Sequence, residues 1–221
     1  MTTVSTEIAG ETLVLLPERA VFWERTATLL VADAHIGKAA AFRAAGVPMP
    51  RGTTGGTLSR LAAAIARTRA ARVVLLGDFL HAREGRSPET LQSLHTWRES
   101  HSGIEMILVR GNHDQRAGNP PPEARIRCVD GMLADPPFVF THWPDPAASG
   151  YVIAGHIHPG VRLTGMGRDH VRLPCFWFGA RVAVLPAFGE LTGLADVAPE
   201  PGDRLWVIVE DEVIEIDPWR D

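Results

Sequence analysis

Five apolar runs in this chain each end in residues that a protein core rejects, and no other sequence feature restricts the fold as much. Met106-Ile107-Leu108-Val109 leads past Arg110 into Gly111-Asn112-His113-Asp114. The run reads as a buried strand. The glycine lets the backbone turn, so that the next side chains project from the strand's carboxyl end. Four more segments repeat the pattern: Asp33-Ala34-His35, Gly77-Asp78, Thr141-His142 and Gly155-His156-Ile157-His158. Carboxylates, an amide and imidazoles are costly inside a core and well suited to metal ions or phosphate.

The rest of the chain fits strands that deliver such groups. Strands are expected at 11–16, 20–23 and 28–32, then a helix at 38–45 that Gly46 and Pro48 stop. An amphipathic helix at 53–70 precedes a strand at 72–76. Ser87-Pro88-Glu89 has the capping serine, first-turn proline and acidic residue of a helix start, and that helix runs to about His101. A strand at 105–109 follows, so this half alternates strand and helix, which implies parallel pairing. The segment 116–122 is loop-like. Beyond it helix signals vanish, and 125–129, 138–141, 151–154, 161–163, 171–173, 181–185, 205–210 and 213–216 all read as strands. Mixed α/β followed by mostly β predicts two sheets face to face with helices outside, in a single domain spanning 1–221.

Charge excludes one class of function. With 22 Lys and Arg against 26 Asp and Glu, the net charge is −4, so the chain is no basic nucleic-acid coat. Lys38 is its only lysine. Two cysteines in no metal-binding spacing predict a reducing compartment. The N-terminus lacks an apolar segment and no run reaches membrane-spanning length, so the expectation is a cytoplasmic protein with no membrane partner.

The ordered set D-x-H, G-D, G-N-H-D, H, G-H-x-H resembles the signature of the binuclear metallophosphoesterases. The resemblance implies a calcineurin-like α/β fold, a four-layer α-β-β-α sandwich. Seven candidate ligands (Asp33, His35, Asp78, Asn112, His142, His156 and His158) are too many for one ion. They suit two ions about 3.5–4 Å apart bridged by a carboxylate. By resemblance Asp33, His35, Asp78 and His158 hold the first ion. Asp78 bridges, and Asn112, His142 and His156 complete the second. Hard ions such as manganese or magnesium prefer the oxygen donors, and the imidazoles among them favour manganese, iron or zinc. In the family a metal-bridging hydroxide attacks phosphorus in line. His113 then touches the scissile phosphate and serves the leaving oxygen, as a general acid contributing about 10²–10⁴-fold. Two divalent ions would also bring the formal charge to zero.

His81, in Gly77-Asp78-Phe79-Leu80-His81, stands where phosphoprotein phosphatases carry an aspartate. The SbcD nuclease has a similar G-D-x-x-H pattern, which implies a second phosphate-contacting histidine. Lys38 can reach a substrate phosphate or sit in solvent on the first helix turn. Trp143 can stack on a base or pack beneath the site. Asp114 can orient His113. Arg43, Arg51, Arg60, Arg67 and Arg69 read as a solvated helix face, and Phe176-Trp177-Phe178 as strand core.

Within the superfamily the sequence most resembles the PdeM-type, ligase-associated metallophosphoesterases of bacterial DNA-repair gene clusters. The likeness includes Asp33-x-His35-x-Gly37-Lys38, His81 and Gly155-His156-x-His158-Pro159. It extends to Arg172-Leu173-Pro174-Cys175-Phe176-Trp177 and Leu185-Pro186-Ala187-Phe188-Gly189. It implies a manganese-dependent endonuclease on single-stranded DNA, associated with a helicase, an exonuclease and a DNA ligase. The competing readings are a phosphodiesterase for small molecules or cyclic nucleotides, and a non-catalytic scaffold. Complete ligand positions speak against the scaffold.

Overall fold

The computed structural model describes residues 2–164 and 170–219. Its first half is a sheet that changes character midway. Strands β1 (Val4–Ile8), β2 (Glu11–Leu16), β3 (Ala20–Trp23) and β4 (Thr28–Val31) pair antiparallel in chain order. From β4 the pairing becomes parallel through β5 (Arg72–Leu76), β6 (Glu105–Val109) and β7 (Arg127–Val129). Parallel neighbours need crossovers, and helices supply them. Helices α1 (Lys38–Ala44) and α2 (Thr53–Thr68) join β4 to β5, and α3 (Pro88–Ser100) joins β5 to β6. Ser87 caps α3 by accepting the Thr90 amide at 3.2 Å. A short helix α4 (Asn112–Ala117) follows β6 directly.

The second half is almost all strand: β8 (Met132–Asp135), β9 (Phe138–Thr141), β10 (Tyr151–Ala154), β11 (Pro159–Thr164), β12 (His170–Phe178), β13 (Val182–Val184), β14 (Ala195–Asp196), β15 (Arg204–Val209) and β16 (Glu212–Ile216). Their order in the second sheet is β14-β11-β12-β13-β10-β9-β8, with β15 also paired to β12 and β16 to β15.

Two apolar layers hold the fold. Leu13, Leu15, Trp23, Leu30, Val74, Leu76 and Ile107 of the first sheet meet Phe138, Phe140, Ile153, Phe176, Phe178, Trp206 and Ile208 of the second in one buried cluster. The sheets are therefore packed face to face, with the Trp23 ring edge-on to Phe138 at 4.9 Å. On the other face of the first sheet, Leu29, Val31, Val73, Leu75 and Leu108 bury against Leu58, Leu61, Ile65, Leu94 and Trp97 of α2 and α3.

In the second sheet, smaller apolar clusters among the described residues form around Val139 with Val152 and around Cys175 with Val207. Among the described residues no α-helix follows Ala117, so the fourth, helical layer expected from the resemblance has no counterpart there.

Candidate metal centre

The site forms where the carboxyl ends of β4, β5, β6, β9 and β10 meet. Backbone pairing continues past β4 and β5 into their loops: the amides of Asp33, His35 and Ile36 donate to the carbonyls of Gly77, Asp78 and Phe79 at 3.2, 2.9 and 2.7 Å. The Leu185–Gly189 segment braces the same loop from the second sheet. Phe188 N donates to Ala32 O and Gly189 N to Asp33 O, at 2.8 and 3.1 Å. Arg60 fixes that brace by donating to Phe188 O at 2.6 Å. It and Arg67, which binds Glu18 at 2.8 Å, tie α2 to its neighbours where a solvated face was expected.

All seven candidate ligands come together. Asp33, His35 and His158 form one cluster, and Asp78, His142 and His156 a second. Asp78 joins them, with Oδ2 4.0 Å from His35 Nε2 and Oδ1 3.5 Å from His142 Nε2. Asn112 enters the second cluster with its Oδ1 3.1 Å from His142 Nε2. Five of the seven (Asp33, His35, Asp78, His156 and His158) hold left-handed backbone at φ between 46° and 74°. Aspartate and histidine tolerate that region better than bulky residues, yet each position carries strain.

Glycines set the close packing. A Cβ on Gly77, whose φ is +79°, would lie 2.2 Å from His142 Nδ1, and one on Gly111 would lie 2.3 Å from Asp78 Oδ1. Gly155 has the same relation to Asp33, at 2.6 Å from Oδ2. Only glycine leaves room for these groups.

Hydrogen bonding tests whether the residues fit a metal. His142, fully buried, donates from Nδ1 to Leu76 O at 2.9 Å. Its Nε2 therefore brings a lone pair toward Asn112 Oδ1, Asp78 Oδ1 and His156 Nδ1, the last at 3.1 Å. Electron pairs so gathered repel one another unless a cation lies among them. A backbone acceptor on one ring nitrogen is also the usual way a ligating imidazole is oriented. Asp33 is fully buried and accepts the His156 amide on Oδ2 at 2.9 Å, but its Oδ1 has no hydrogen-bond partner. That oxygen lies 3.5 Å from His158 Nε2, which is itself near His35 Nε2 at 3.4 Å. A buried carboxylate oxygen without a donor is expensive. Both clusters thus fit divalent cations. Burial, followed by the nearby cations and imidazoles, holds the His35 pKa far below the ordinary histidine range. His156 is lowered by burial and by His142. Both are neutral, as ligation requires.

His113 sits at the rim. Its amide donates to Asp78 Oδ1 at 2.9 Å, and its Nδ1 donates to His81 O at 2.6 Å. That leaves Nε2 facing the site, 3.9 Å from Asp78 Oδ2. The His81 ring stacks on His113 with centroids 4.7 Å apart, and its Nδ1 lies 3.3 Å from His35 Nδ1. With His35 Nε2 turned to the cluster, the shared proton belongs on His35 Nδ1, and His81 carries its own on Nε2. Burial, then His113 and Lys38, push the His81 pKa down to about 4. Lys38, half-buried, starts α1. Burial lowers its pKa and the Asp78 and Asp33 carboxylates oppose that shift.

Asp114 departs from its expected role, and Trp143 from one of its two readings. Asp114 does not touch the His113 ring. Its buried carboxylate accepts the amides of Leu80 and Gly111 at 2.9 and 3.0 Å, clipping the loop after β5 to the start of α4. Trp143 does not pack beneath the site; it is 40% exposed, with its ring 4.1 Å from that of His156. Phe42, which the sequence analysis did not single out, is 37% exposed and stacks on His81 at 6.0 Å.

No protein-family model matches the sequence, and no curated protein does. Solved structures do. The crystal structure of Pseudomonas putida nuclease MPE superposes with a TM-score of 0.86 and 40% identity, over 97% of this chain and 100% of that one. The phosphoesterase Yfce from E. coli matches at a TM-score of 0.41 and 13% identity, over 86% and 97% of the two chains. A protein of unknown function from Aquifex aeolicus, AQ665, gives 0.41 and 16%, over 64% and 82%. At 40% identity over 97% of this chain and 100% of its own, the first of these shows the family, and the present chain belongs with it to the metallophosphoesterases.

Proposed function

We propose that the protein is a metal-dependent phosphodiesterase that cuts single-stranded DNA at internal positions. The observation that carries this reading is the joining of two ligand clusters by one carboxylate, Asp78, with His113 Nε2 at their rim. In it Asp33, His35, Asp78 and His158 would hold one ion and Asp78, Asn112, His142 and His156 the other, manganese being the ion that the family resemblance implies. Such ions, when bound, polarise a phosphoryl oxygen and make water nucleophilic at neutral pH. The chain's own groups do the rest. His81 Nε2–H and Lys38 donate to non-bridging phosphate oxygens and orient the diester. His113, protonated on both ring nitrogens with Nδ1–H fixed on His81 O, presents Nε2–H to the leaving oxygen and gives up that proton there, ending as the neutral ring. A sugar alkoxide leaves poorly, so that proton matters.

The relative's description as a nuclease supports a nucleic-acid substrate. A flexible single strand adapts to this site more easily than a stiff duplex. The same reading places the protein in bacterial DNA repair in the cytoplasm, beside a helicase, an exonuclease and a DNA ligase. Among the described residues no helix is long and apolar enough to cross a membrane.

The test is cleavage of closed circular single-stranded DNA with Mn²⁺, Mg²⁺ or Zn²⁺, beside Asp78→Ala and a duplex control. Linear product from the wild type alone is expected, since a circle offers no end. An intact circle together with hydrolysis of a small phosphodiester overturns the DNA reading and leaves a small-molecule phosphodiesterase.

A further inference from the structure

We propose that Phe42 and Trp143 are nucleobase-stacking walls on either side of the scissile phosphate, so that the site selects diesters carrying bases. The inference rests on the nuclease reading above and names how its substrate is held. Exposed aromatic rings are rare in this molecule. Among the described residues, the large hydrophobic side chains that stay exposed include three aromatics, Phe42, Trp143 and Trp219. Two of the three lie directly on histidines of the metal centre.

Their placement is paired. Phe42, on α1, stacks within 18° of the His81 plane, and His81 stacks within 21° of His113. This three-ring stack ends at the group facing the leaving oxygen. His81 and His113 group with His35, on the side of the first cluster. Trp143 follows His142 at the end of β9 and leans on His156 at 54°, with His142 5.1 Å away. Both of those histidines belong to the second cluster. A phosphate bound across the two clusters therefore has Phe42 toward one flank and Trp143 toward the other.

Burial alone does not account for these positions. A tryptophan at 40% exposure leaves apolar surface in water, against polar imidazoles that give it little to pack on. A nucleobase covers such a ring without regard to sequence, because every base has a π-face. Helix α1 carries two cations beside Phe42: Lys38, one turn earlier and placed above on the phosphate, and Arg43, whose Nη1 is engaged with Pro50 O at 2.8 Å.

The experiment compares oligothymidylate with a strand of the same length built of abasic tetrahydrofuran residues, using wild type, Phe42→Ala, Trp143→Ala and, as control, Trp219→Ala. Wild type and the control are expected to favour the base-bearing strand by about 5- to 100-fold in KM. Each site variant should lose most of that preference and keep its bound metal, measured by elemental analysis. Phe42→Tyr and Trp143→Phe should restore it. A wild type that cleaves both strands with equal KM overturns the stacking proposal while leaving the nuclease reading standing. So do variants that keep the full preference or that lose metal instead. Failure of the wild type to cleave either strand, with any of the three ions, sinks both.

Discussion

At the scale of single residues, tautomers and lone pairs decide what this site can do. His142 spends its ring proton on Leu76 O, and His113 spends one on His81 O, so each presents Nε2 to the same small volume. The first is walled in by Asn112, His156 and Asp78, whereas the second stands beside them with its side chain 30% exposed. That difference separates a ligand from a proton donor. Replacing Asn112 by Ala should empty the second position and abolish hydrolysis with the fold intact, read by metal stoichiometry and circular dichroism together. His113→Ala should leave metal stoichiometry unchanged and lower the single-turnover rate about 10²–10⁴-fold on a diester. A matching loss of metal would instead make His113 a ligand.

At the scale of elements, the site depends on how loops are stapled to strand ends. The Asp114 carboxylate, 1% exposed, is raised above the ordinary aspartate range by burial, against the pull of the Leu80 and Gly111 amides it accepts. Asp114→Ala leaves both amides buried without a partner and should cost about 2–5 kcal/mol in urea unfolding. Asp114→Asn should recover part of that. Gly111→Ala tests the packing against Asp78. Its new Cβ, 2.3 Å from Oδ1, should weaken metal binding measurably in a titration while the sheet stays formed. The sequence showed most strands here because their apolar runs are nearly continuous, as in β4, β5 and β6, and it showed the ligands because they interrupt those runs. It hid β1, where only Thr6 is buried in the Val4–Ile8 alternation. It also hid α4, six residues long, whose sole signal is an aspartate three places after Gly111. The brace of Leu185–Gly189 on Asp33 was visible as a motif but not as a contact, since it joins residues some 150 apart.

For the molecule as a whole, the two sheets are a rigid clamp around a charged, imperfectly satisfied centre. Large rings such as Trp23, Phe138, Phe176 and Trp206 fill the space between them. The centre lies at one end of that layer and includes the unpartnered Asp33 oxygen. Metal bound only by the folded chain should therefore raise stability by about 2.7 kcal/mol when free metal is 100-fold above Kd. For a domain this size that is roughly 5–10 °C in Tm. Calorimetry with and without a chelator checks it, and Asp78→Ala should remove most of the difference.

The left-handed backbone at Asp33, His35, Asp78, His156 and His158 has an evolutionary corollary. Each is a place where glycine or asparagine would sit with less strain, of the order of 1 kcal/mol apiece. Natural drift toward a steadier fold and selection for chemistry therefore pull in opposite directions at these same positions. A duplicated copy released from catalysis should shed its ligands first and grow more heat-resistant as it does so, its sheets unchanged.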